Sequence, residues 1–281
     1  MSTETLSTPT PTTPAPIPVR SPLPAALSGT TAVLVGGSSG IGLAAGVLLR
    51  SVGARVVLVG RDPDRLKAAV SRVRGVSQLP GADPAADPDD AVLGVPGDGG
   101  DERTLAEAFD RAGHVDHVYV TAGGISGAGP LSGLSADDIR ATLGSGPLHT
   151  VFAVARAAAT RLPAGGSLTL SSGILVVRPY PGMTVPLSLA GAVETLTRAL
   201  AVELASARVR VNTVRYGRID TPLLRSLPGL DSDDGIAAAG ATAPLGRFGT
   251  AEEAAAAAVF LMANNYVTGQ VITVDGGETL A

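Results

Sequence analysis

Short apolar runs alternate with segments of helical periodicity from Thr30 to the end of the chain. Runs of valine, leucine and isoleucine bounded by glycine, proline or aspartate are typical of buried strands, and apolar residues three and four apart are typical of helices. Seven strands are predicted in this way, at residues 31–35, 55–59, 91–95, 115–121, 167–170, 209–214 and 270–274. Buried strands separated by helices predict right-handed βαβ units. The expected fold class is therefore α/β, a doubly wound, mostly parallel seven-stranded sheet with helices on both faces.

The first part of the chain lacks this alternation. Seven prolines lie among serines and threonines before Leu27, and such a segment buries too little apolar surface to offset the entropy of ordering it. Residues 1–27 are therefore predicted to be a disordered tail, either plainly solvated or used for docking. Residues 28–281 show no internal repeat and are predicted to form one domain.

Two helices in the second half of the chain have clear signals. Ser135 and Asp138 have the spacing of a capping box, which predicts one long helix that ends near Leu162. A later helix is predicted by an apolar stripe at helical spacing, formed by Val193, Leu196, Leu200 and Leu204.

A glycine-rich turn joins the first strand to the first helix, with the sequence Gly36-Gly37-Ser38-Ser39-Gly40-Ile41-Gly42. Its first glycine permits a tight turn, and the later glycines let the backbone approach a pyrophosphate and let the helix pack on the strand. The N–H groups and the dipole at the helix N-terminus favour bound phosphate. The turn therefore predicts a dinucleotide-binding site, with a purely structural turn as the alternative.

The end of the second strand indicates which dinucleotide is preferred. An Asp or Glu there would accept a hydrogen bond from the ribose 2′-hydroxyl of NAD, but the sequence is Val59-Gly60-Arg61. Glycine leaves room for a 2′-phosphate and Arg61 supplies its counter-charge, so NADP(H) is favoured over NAD(H). A solvated loop role for Arg61 is the alternative, and a closed site would bind no cofactor.

From about Thr30 to Gly277 the chain resembles the short-chain dehydrogenase/reductase family. The segments that carry the resemblance are Gly36-x-x-x-Gly40-x-Gly42, Asp98, Ala122-Gly123, Ser171-Ser172, Arg210-Val211-Asn212, Gly217-x-x-x-Thr221 and Thr268 to Gly277. The resemblance implies a single-domain Rossmann fold and a bound nicotinamide cofactor. The residues expected to hold this cofactor are Gly36, Ser38, Ser39, Gly40, Ile41, Gly42, Arg61, Asp98, Ala122, Gly123, Gly217 and Thr221.

The catalytic positions depart from the family pattern. The family reduces carbonyls with a Tyr-x-x-x-Lys pair, a serine that orients the carbonyl and a helix asparagine that holds a water relay. At the matching positions this chain has Pro186, Ala190 and Leu143, and only Ser172 remains. No tyrosine in the sequence is followed four residues later by lysine, and the only lysine is Lys67, on another predicted helix.

Three side chains are candidates to act with Ser172 in place of the missing pair. Arg178 and Tyr180 lie in the loop that lines the substrate pocket in the family, where Arg178 suits an anion or enolate and Tyr180 suits proton donation. Tyr216 replaces a proline that flanks the nicotinamide in the family, so it is a candidate donor or stacking partner. Simple packing roles for all three are the alternative.

Composition restricts the other classes of function. The chain has 281 residues, a formal net charge of −4 and no cysteine, which excludes disulfides and thiolate chemistry. No Lys/Arg stripe indicates nucleic acid, no His/Asp/Glu cluster has metal-ligand spacing, and His149 is expected to be a packing or interface residue. No charge-free apolar run is long enough to span a bilayer and no secretory signal is seen, so we expect a cytoplasmic protein without membrane contact.

Three functions are consistent with these features. The first is a divergent NADP(H)-dependent oxidoreductase of a small carbonyl or hydroxyl compound, because the dinucleotide turn is intact. The second is a non-redox enzyme, such as a cyclase, dehydratase or isomerase, that reuses the pocket. The third is a catalytically silent subunit, since the family's long helices, here residues 135–162 and 186–206, usually build a dimer seam. A homodimer or homotetramer is expected, with a hetero-oligomer containing another family member as the alternative.

Overall fold

The apolar runs form strands close to the predicted positions in the computed structural model, which describes residues 17–79, 88–121, 123–124 and 127–281. The strands are β1 Thr31–Val35, β2 Arg55–Gly60, β3 Val92–Pro96, β4 His117–Val120, β5 Ser167–Gly173, β6 Arg210–Tyr216, β7 Ile219–Asp220, β8 Gly249–Thr250 and β9 Val271–Val274. The α-helices are α1 Gly40–Ser51, α2 Pro63–Arg74, α3 Pro88–Ala91, α4 Glu102–Ala112, α5 Ala136–Ser145, α6 Pro147–Arg161, α7 Thr184–Glu203, α8 Pro222–Arg225, α9 Asp233–Gly240 and α10 Ala251–Ala263.

Seven of these strands form one sheet in the order β3-β2-β1-β4-β5-β6-β9, and all of its neighbouring pairs are parallel. The short strands β7 and β8 pair separately, also in parallel. The order of strands along the chain reverses between β1 and β4, and in such sheets ligands bind in the crevice outside the carboxyl ends of the strands at this point. The predicted doubly wound α/β fold is therefore confirmed.

Alternate residues of the central strands pack into two separate apolar layers. In β1, Ala32 and Leu34 belong to the layer under α1, α2 and α10, whereas Val33 and Val35 belong to the layer under α4, α6 and α7. All five residues of this strand are buried. Because helices cover both faces of the sheet, the strand is apolar on both faces from Ala32 to Val35, which explains the unbroken apolar run in its sequence.

A buried arginine fixes the last helix to the sheet. Arg210 at the start of β6 donates hydrogen bonds to the carbonyl oxygens of Leu261 (2.6 Å) and Met262 (2.9 Å) near the C-terminal end of α10. A cation at this end of a helix is favoured by the helix dipole. Burial lowers the pKa of Arg210 to about 10, which still leaves the guanidinium charged at neutral pH.

The long helix predicted over residues 135–162 is two helices, α5 and α6, that meet at Gly146. Pro147 has no N–H and disfavours a helical conformation in the residue before it, so Gly146 is extended and the chain turns there. The predicted capping box is present, since Ser135 accepts from the Asp138 N–H and Asp138 accepts from the Ser135 N–H. The break places the start of α6 at the edge of the crevice.

The packed part of the chain begins before the boundary predicted at Leu27. Leu27 is 1% exposed in the core, Arg20 donates to the carbonyl oxygen of Gly165 (3.3 Å), and Asn265 donates to that of Pro18 (2.9 Å). Residues 17–27 therefore lie against the domain, and the predicted disorder of residues 1–16 lies outside the described part. Proline-rich composition did not reveal this docking, because it depends on contacts with distant residues.

One segment of the described chain, Thr184–Ala207, is long and apolar enough by length and composition to cross a membrane. It contains α7, whose residues Val193 and Thr197 are buried against the sheet. A core helix of a Rossmann-type domain has this composition because it packs on apolar strands.

A buried histidine at the amino-terminal end of β4, opposite the crevice, is held in its neutral form. The His117 side chain is 0% exposed, and its Nδ1 lies 2.9 Å from the Ser167 hydroxyl. Its Nε2 has no hydrogen-bond partner. Burial lowers the pKa of His117 to about 3.

We predict that acid destabilises the protein through His117. The folded pKa lies below the value near 6.5 of an unfolded chain, so the neutral ring favours folding above about pH 6.5. This stabilisation is lost as the pH falls from 6.5 toward 3, by about 1.4 kcal/mol per pH unit. Urea unfolding across this range measures the slope. His117→Gln should remove it and the exposed control His114→Gln should retain it, whereas parallel profiles for wild type and His117→Gln would contradict the prediction.

Candidate active site

The glycine-rich turn after β1 is built so that a phosphate can approach the backbone. Gly36 and Gly40 have φ angles of 93° and 51°, which side chains disfavour. A Cβ at Gly42 would overlap the carbonyl oxygen of Gly36 and lie 2.6 Å from the Thr121 hydroxyl oxygen. The N–H groups of Gly36 and Gly37 both bond to the carbonyl oxygen of Val59 on β2. The turn is thereby pinned to the sheet, and the first N–H groups of α1 point outward from the helix end.

Half of the twelve predicted cofactor-binding residues line a single cleft at the carboxyl ends of β1 to β4. The cleft has a volume of about 460 Å³. Its predicted members are Gly36, Ser38, Ser39, Arg61, Asp98 and Gly123. A second cleft of about 730 Å³ adjoins it across Ser38 and Ser39, and three arginines line it, namely Arg61, Arg65 and Arg72.

The end of β2 is positively charged. Arg61 and Arg65 both line the two clefts, and Arg65 lies 3.7 Å from the Asp62 carboxylate. Asp62 itself caps α2 by accepting hydrogen bonds from two N–H groups of the first turn. A Cβ at Gly60 would lie 2.7 Å from the Ser38 hydroxyl oxygen, so only glycine leaves Ser38 in this position. The arrangement suits a phosphate group between Ser38 and the guanidinium groups.

The remaining predicted cofactor residues have more varied surroundings. Ile41 packs against the core. Thr221 lies against Gly40, because a Cβ added at Gly40 would be 3.5 Å from the Thr221 Cβ. Gly217 allows the close approach of Asp275, whose Cα would lie 2.6 Å from an added Cβ. The carboxylate of Asp98 accepts a hydrogen bond from the Gly100 N–H (2.8 Å), and Ala122 lies outside the described residues. Their contacts with a cofactor remain predictions.

A charged network surrounds Ser172 at the end of β5. The Ser172 hydroxyl bonds to Glu194 Oε1 on α7 (2.8 Å). Arg215 on β6 donates from Nε to Oε1 (2.8 Å) and from one terminal nitrogen to Oε2 (2.6 Å), and its other terminal nitrogen donates to the Thr273 hydroxyl (3.2 Å). The Glu194 and Arg215 side chains are 7% and 17% exposed. The hydrogen bond to Glu194 raises the pKa of Arg215, so the arginine is charged.

Matching periodicities of helix and strand bring these groups together. Glu194 and Thr197 are three residues apart on α7, while Thr213 and Arg215 are two apart on β6, so each pair faces its partner element. The Thr197 and Thr213 hydroxyls are 2.5 Å apart. Glu194, one helical turn earlier on α7, forms the ion pair with Arg215, two residues later on β6. A signal for this pair is present in the sequence, since Arg215 occupies an inward position of a buried strand and therefore needs a counter-charge.

The positions expected for the missing tyrosine and lysine lie on the same helical face as Glu194. Pro186, Ala190 and Glu194 are spaced by four residues along α7, and the first two are half-buried. Leu143 is 46% exposed on α5 and lines neither cleft, whereas Gly146 and Pro147 line the smaller cleft. The structure therefore places Leu143 away from both clefts, and the correspondence of Leu143 to the family's asparagine stays a prediction.

Tyr216 does not face the ligand side of the sheet. It is 7% exposed in the layer beneath α1 and α10, and its hydroxyl lies 2.5 Å from that of the fully buried Tyr119. Burial raises the pKa of Tyr119 to about 12 and raises that of Tyr216 well above its usual value. The proposed donor or stacking role of Tyr216 is corrected to a packing role, because β6 alternation turns its side chain away from Ser172.

The loop candidates lie at the surface. The Tyr180 side chain is 68% exposed and lines neither cleft. Arg178 donates to the carbonyl oxygen of Glu278, whose buried carboxylate accepts from Arg218 Nε (3.1 Å). Arg178 thus ties the loop after β5 to the C-terminal turn. His149 is exposed beside Gly100, and no group of three metal-ligating side chains occurs within the described ranges.

Comparison with known proteins gives consistent matches over almost the whole chain. The family model described as Enoyl-(Acyl carrier protein) reductase matches residues 35–279. Carbonyl reductase family member 4 of Danio rerio is 33% identical over 255 residues, which are 89% of this chain and 98% of that protein.

Solved structures show the same likeness. The structure of MalC Reductase/Diels-Alderase from Malbranchea aurantiaca has a TM-score of 0.78 at 28% identity, over 91% of this chain and 98% of that chain. A short chain dehydrogenase from Burkholderia cenocepacia in complex with NADP has a TM-score of 0.74 at 27% identity, over 90% and 98% of the two chains.

We predict that Arg215→Met destabilises the protein by about 3–5 kcal/mol, because it leaves the Glu194 carboxylate buried without a partner. Replacing both residues together, with Glu194→Leu and Arg215→Met, should cost less than the single change. The exposed pair of Arg156 and Glu102 gives the control, since Arg156→Met should cost less than about 1 kcal/mol. Denaturant unfolding measures all three. An Arg215→Met cost as small as that of Arg156→Met would contradict the buried ion pair.

Proposed function

Because the chain belongs to the short-chain dehydrogenase/reductase family, we propose that its cleft binds NADP(H) and that it is a divergent oxidoreductase of a small carbonyl or hydroxyl compound. The observation that carries the proposal is the glycine cradle, in which a Cβ at Gly42 would fill the approach to the turn. The cradle opens into a cleft at the point where such sheets bind dinucleotides. A turn with a purely structural role would need the close backbone approach at Gly42, but it would not need an open cleft beside it.

The preference for NADP(H) over NAD(H) rests on the charges at the end of β2. Gly60 takes the place of an acidic residue, and Arg61 and Arg65 border both clefts. Two guanidinium groups near Ser38 would hold a 2′-phosphate by charge-assisted hydrogen bonds. The similar dehydrogenase from Burkholderia cenocepacia, solved with NADP, supports the same choice.

The chain's own groups would position the substrate without a tyrosine–lysine pair. When bound, the nicotinamide supplies or accepts the hydride. Ser172 is half-buried at the end of β5, and it is held in place by Glu194 and Arg215. A general acid typically contributes about 10²–10⁴ in rate, so proton exchange through water predicts slow turnover.

A second candidate function is a non-redox cyclase. The similar MalC protein is titled both a reductase and a Diels-Alderase, which shows that one protein on this scaffold carries both descriptions. A cycloaddition forms carbon–carbon bonds without net proton or hydride transfer, so it needs neither of the residues missing at Pro186 and Ala190. A closed pocket that orients a diene and a dienophile would suffice.

The proposed assembly is a homodimer or homotetramer, with pairing to another family member as the alternative. The helices α6 and α7 carry exposed apolar side chains, Phe152 at 49% and Val202 at 80%. Burying such groups in a seam between copies is favourable. A silent subunit in a mixed assembly is the corresponding alternative function. We further propose that the protein is cytoplasmic, acts on a small molecule and binds neither nucleic acid nor membrane.

We predict that the protein binds NADPH more tightly than NADH, and that Arg61→Ala weakens NADPH binding by at least about tenfold, because a charged hydrogen bond to phosphate is lost. NADH binding should change by less than about twofold. Arg103→Ala, on α4 and outside both clefts, is the matched control. Nicotinamide fluorescence titration measures the dissociation constants.

Equal weakening of both cofactors by Arg61→Ala would overturn the assignment to the 2′-phosphate, and failure of both cofactors to bind would overturn the proposed function. Turnover separates the two candidate functions. An oxidoreductase consumes NADPH in proportion to product across a carbonyl panel, whereas a cyclase forms product without any change in nicotinamide absorbance.

A further inference from the structure

The hydrogen of the Ser172 hydroxyl is committed to Glu194. An arginine side chain has only donors, so both Glu194 oxygens must accept where Arg215 binds them. A carboxylate that is held in this bidentate way is ionised and has no hydrogen to offer. At the 2.8 Å contact between Ser172 Oγ and Glu194 Oε1, the serine must therefore donate.

A serine hydroxyl has one donor and two acceptor lone pairs. Since the donor is used inside the protein, Ser172 has only acceptor capacity left on its exposed side. Pro186 and Ala190 precede Glu194 by two turns and one turn on the same face of α7, are half-buried and have no polar side-chain atom. Glu194 and Arg215 are almost fully enclosed and already engaged with each other.

We infer that Ser172 acts as a hydrogen-bond acceptor, so that the ligand that docks beside it presents a hydroxyl hydrogen rather than a bare carbonyl oxygen. The reason is electrostatic, since two oxygen lone pairs that face each other repel. The inference deepens the proposed function and rests on it in one respect, the placement of the substrate at the end of β5. The inference predicts that the alcohol form of the substrate binds more tightly than the carbonyl form.

Glu194 is a positioning residue in this scheme, and removal of its carboxylate should free the serine hydrogen. In the double variant Glu194→Leu with Arg215→Met, neither buried charge is left without its partner, and Ser172 no longer has Glu194 Oε1 as an acceptor. Its hydroxyl hydrogen can then turn toward the ligand. The double variant should therefore bind a carbonyl oxygen better than wild type does.

The test uses a matched pair of probes, 4-(trifluoromethyl)cyclohexanol and 4-(trifluoromethyl)cyclohexanone, with dissociation constants measured by fluorine NMR. The alcohol is titrated with NADPH present and the ketone with NADP⁺ present, so that neither is converted. Both are also titrated without cofactor. Wild type should favour the alcohol by about fivefold to tenfold, the effect of one net hydrogen bond, and the double variant should move this ratio toward the ketone by about the same factor.

Thr197→Val is the matched control, because it changes a buried hydroxyl one turn further along the same face of α7 and leaves Ser172 and Glu194 in place. It should keep the wild-type ratio, whereas Ser172→Ala should bring the ratio close to one. If the double variant fails to fold, wild type and Ser172→Ala still decide the matter.

A wild-type preference for the ketone, or an equal preference in wild type and Ser172→Ala, would overturn the inference. Failure of the proposed function would look different, because NADPH would not bind while the probe ratio measured without cofactor would keep its value.

Discussion

A charged pair buried between a helix and a sheet determines how the neighbouring elements pack and which groups must hydrogen-bond to it. Glu194 and Arg215 lie between α7 and β6 with little exposure, and such a pair is stable only when its geometry is good and its other hydrogen-bonding capacity is satisfied. Ser172 donates to Glu194 beside Arg215, and Thr273 accepts from Arg215. These contacts link the position of α7 to the register of β5 on β6. They also fix the orientation of the Ser172 hydroxyl.

The two halves of the crevice differ in how closely their residues match the family pattern. On the adenosine side, the turn from Gly36 to Gly42 keeps the close backbone approach that a pyrophosphate needs. On the proposed substrate side, Pro186 and Ala190 stand where the family resemblance implies a tyrosine and a lysine, and the buried polar pair on the same helical face is formed by Glu194 with Arg215. We propose that such a site binds a dinucleotide and holds a substrate through an acceptor instead of a proton donor.

The sequence was a good guide to the fold and a poor guide to the remodelled site. Buried strands and the glycine turn depend on short runs of residues, so their positions could be predicted. The helix break at Pro147 was missed, although proline after glycine is a local signal. The partnership of Glu194 with Arg215 joins residues on different elements, α7 and β6. Tyr216 follows Arg215 directly in β6, so its side chain lies on the opposite face of the sheet, and a family resemblance at one position does not reveal this.

Neutron diffraction from crystals of the deuterated protein tests the central claim most directly, because it locates hydrogen atoms without any assumption about substrate. We expect nuclear density for a single deuteron on Ser172 Oγ, directed at Glu194 Oε1, and none on the Glu194 carboxylate. A deuteron on Ser172 that points into the crevice, or a deuteron bound to Glu194, would contradict the account.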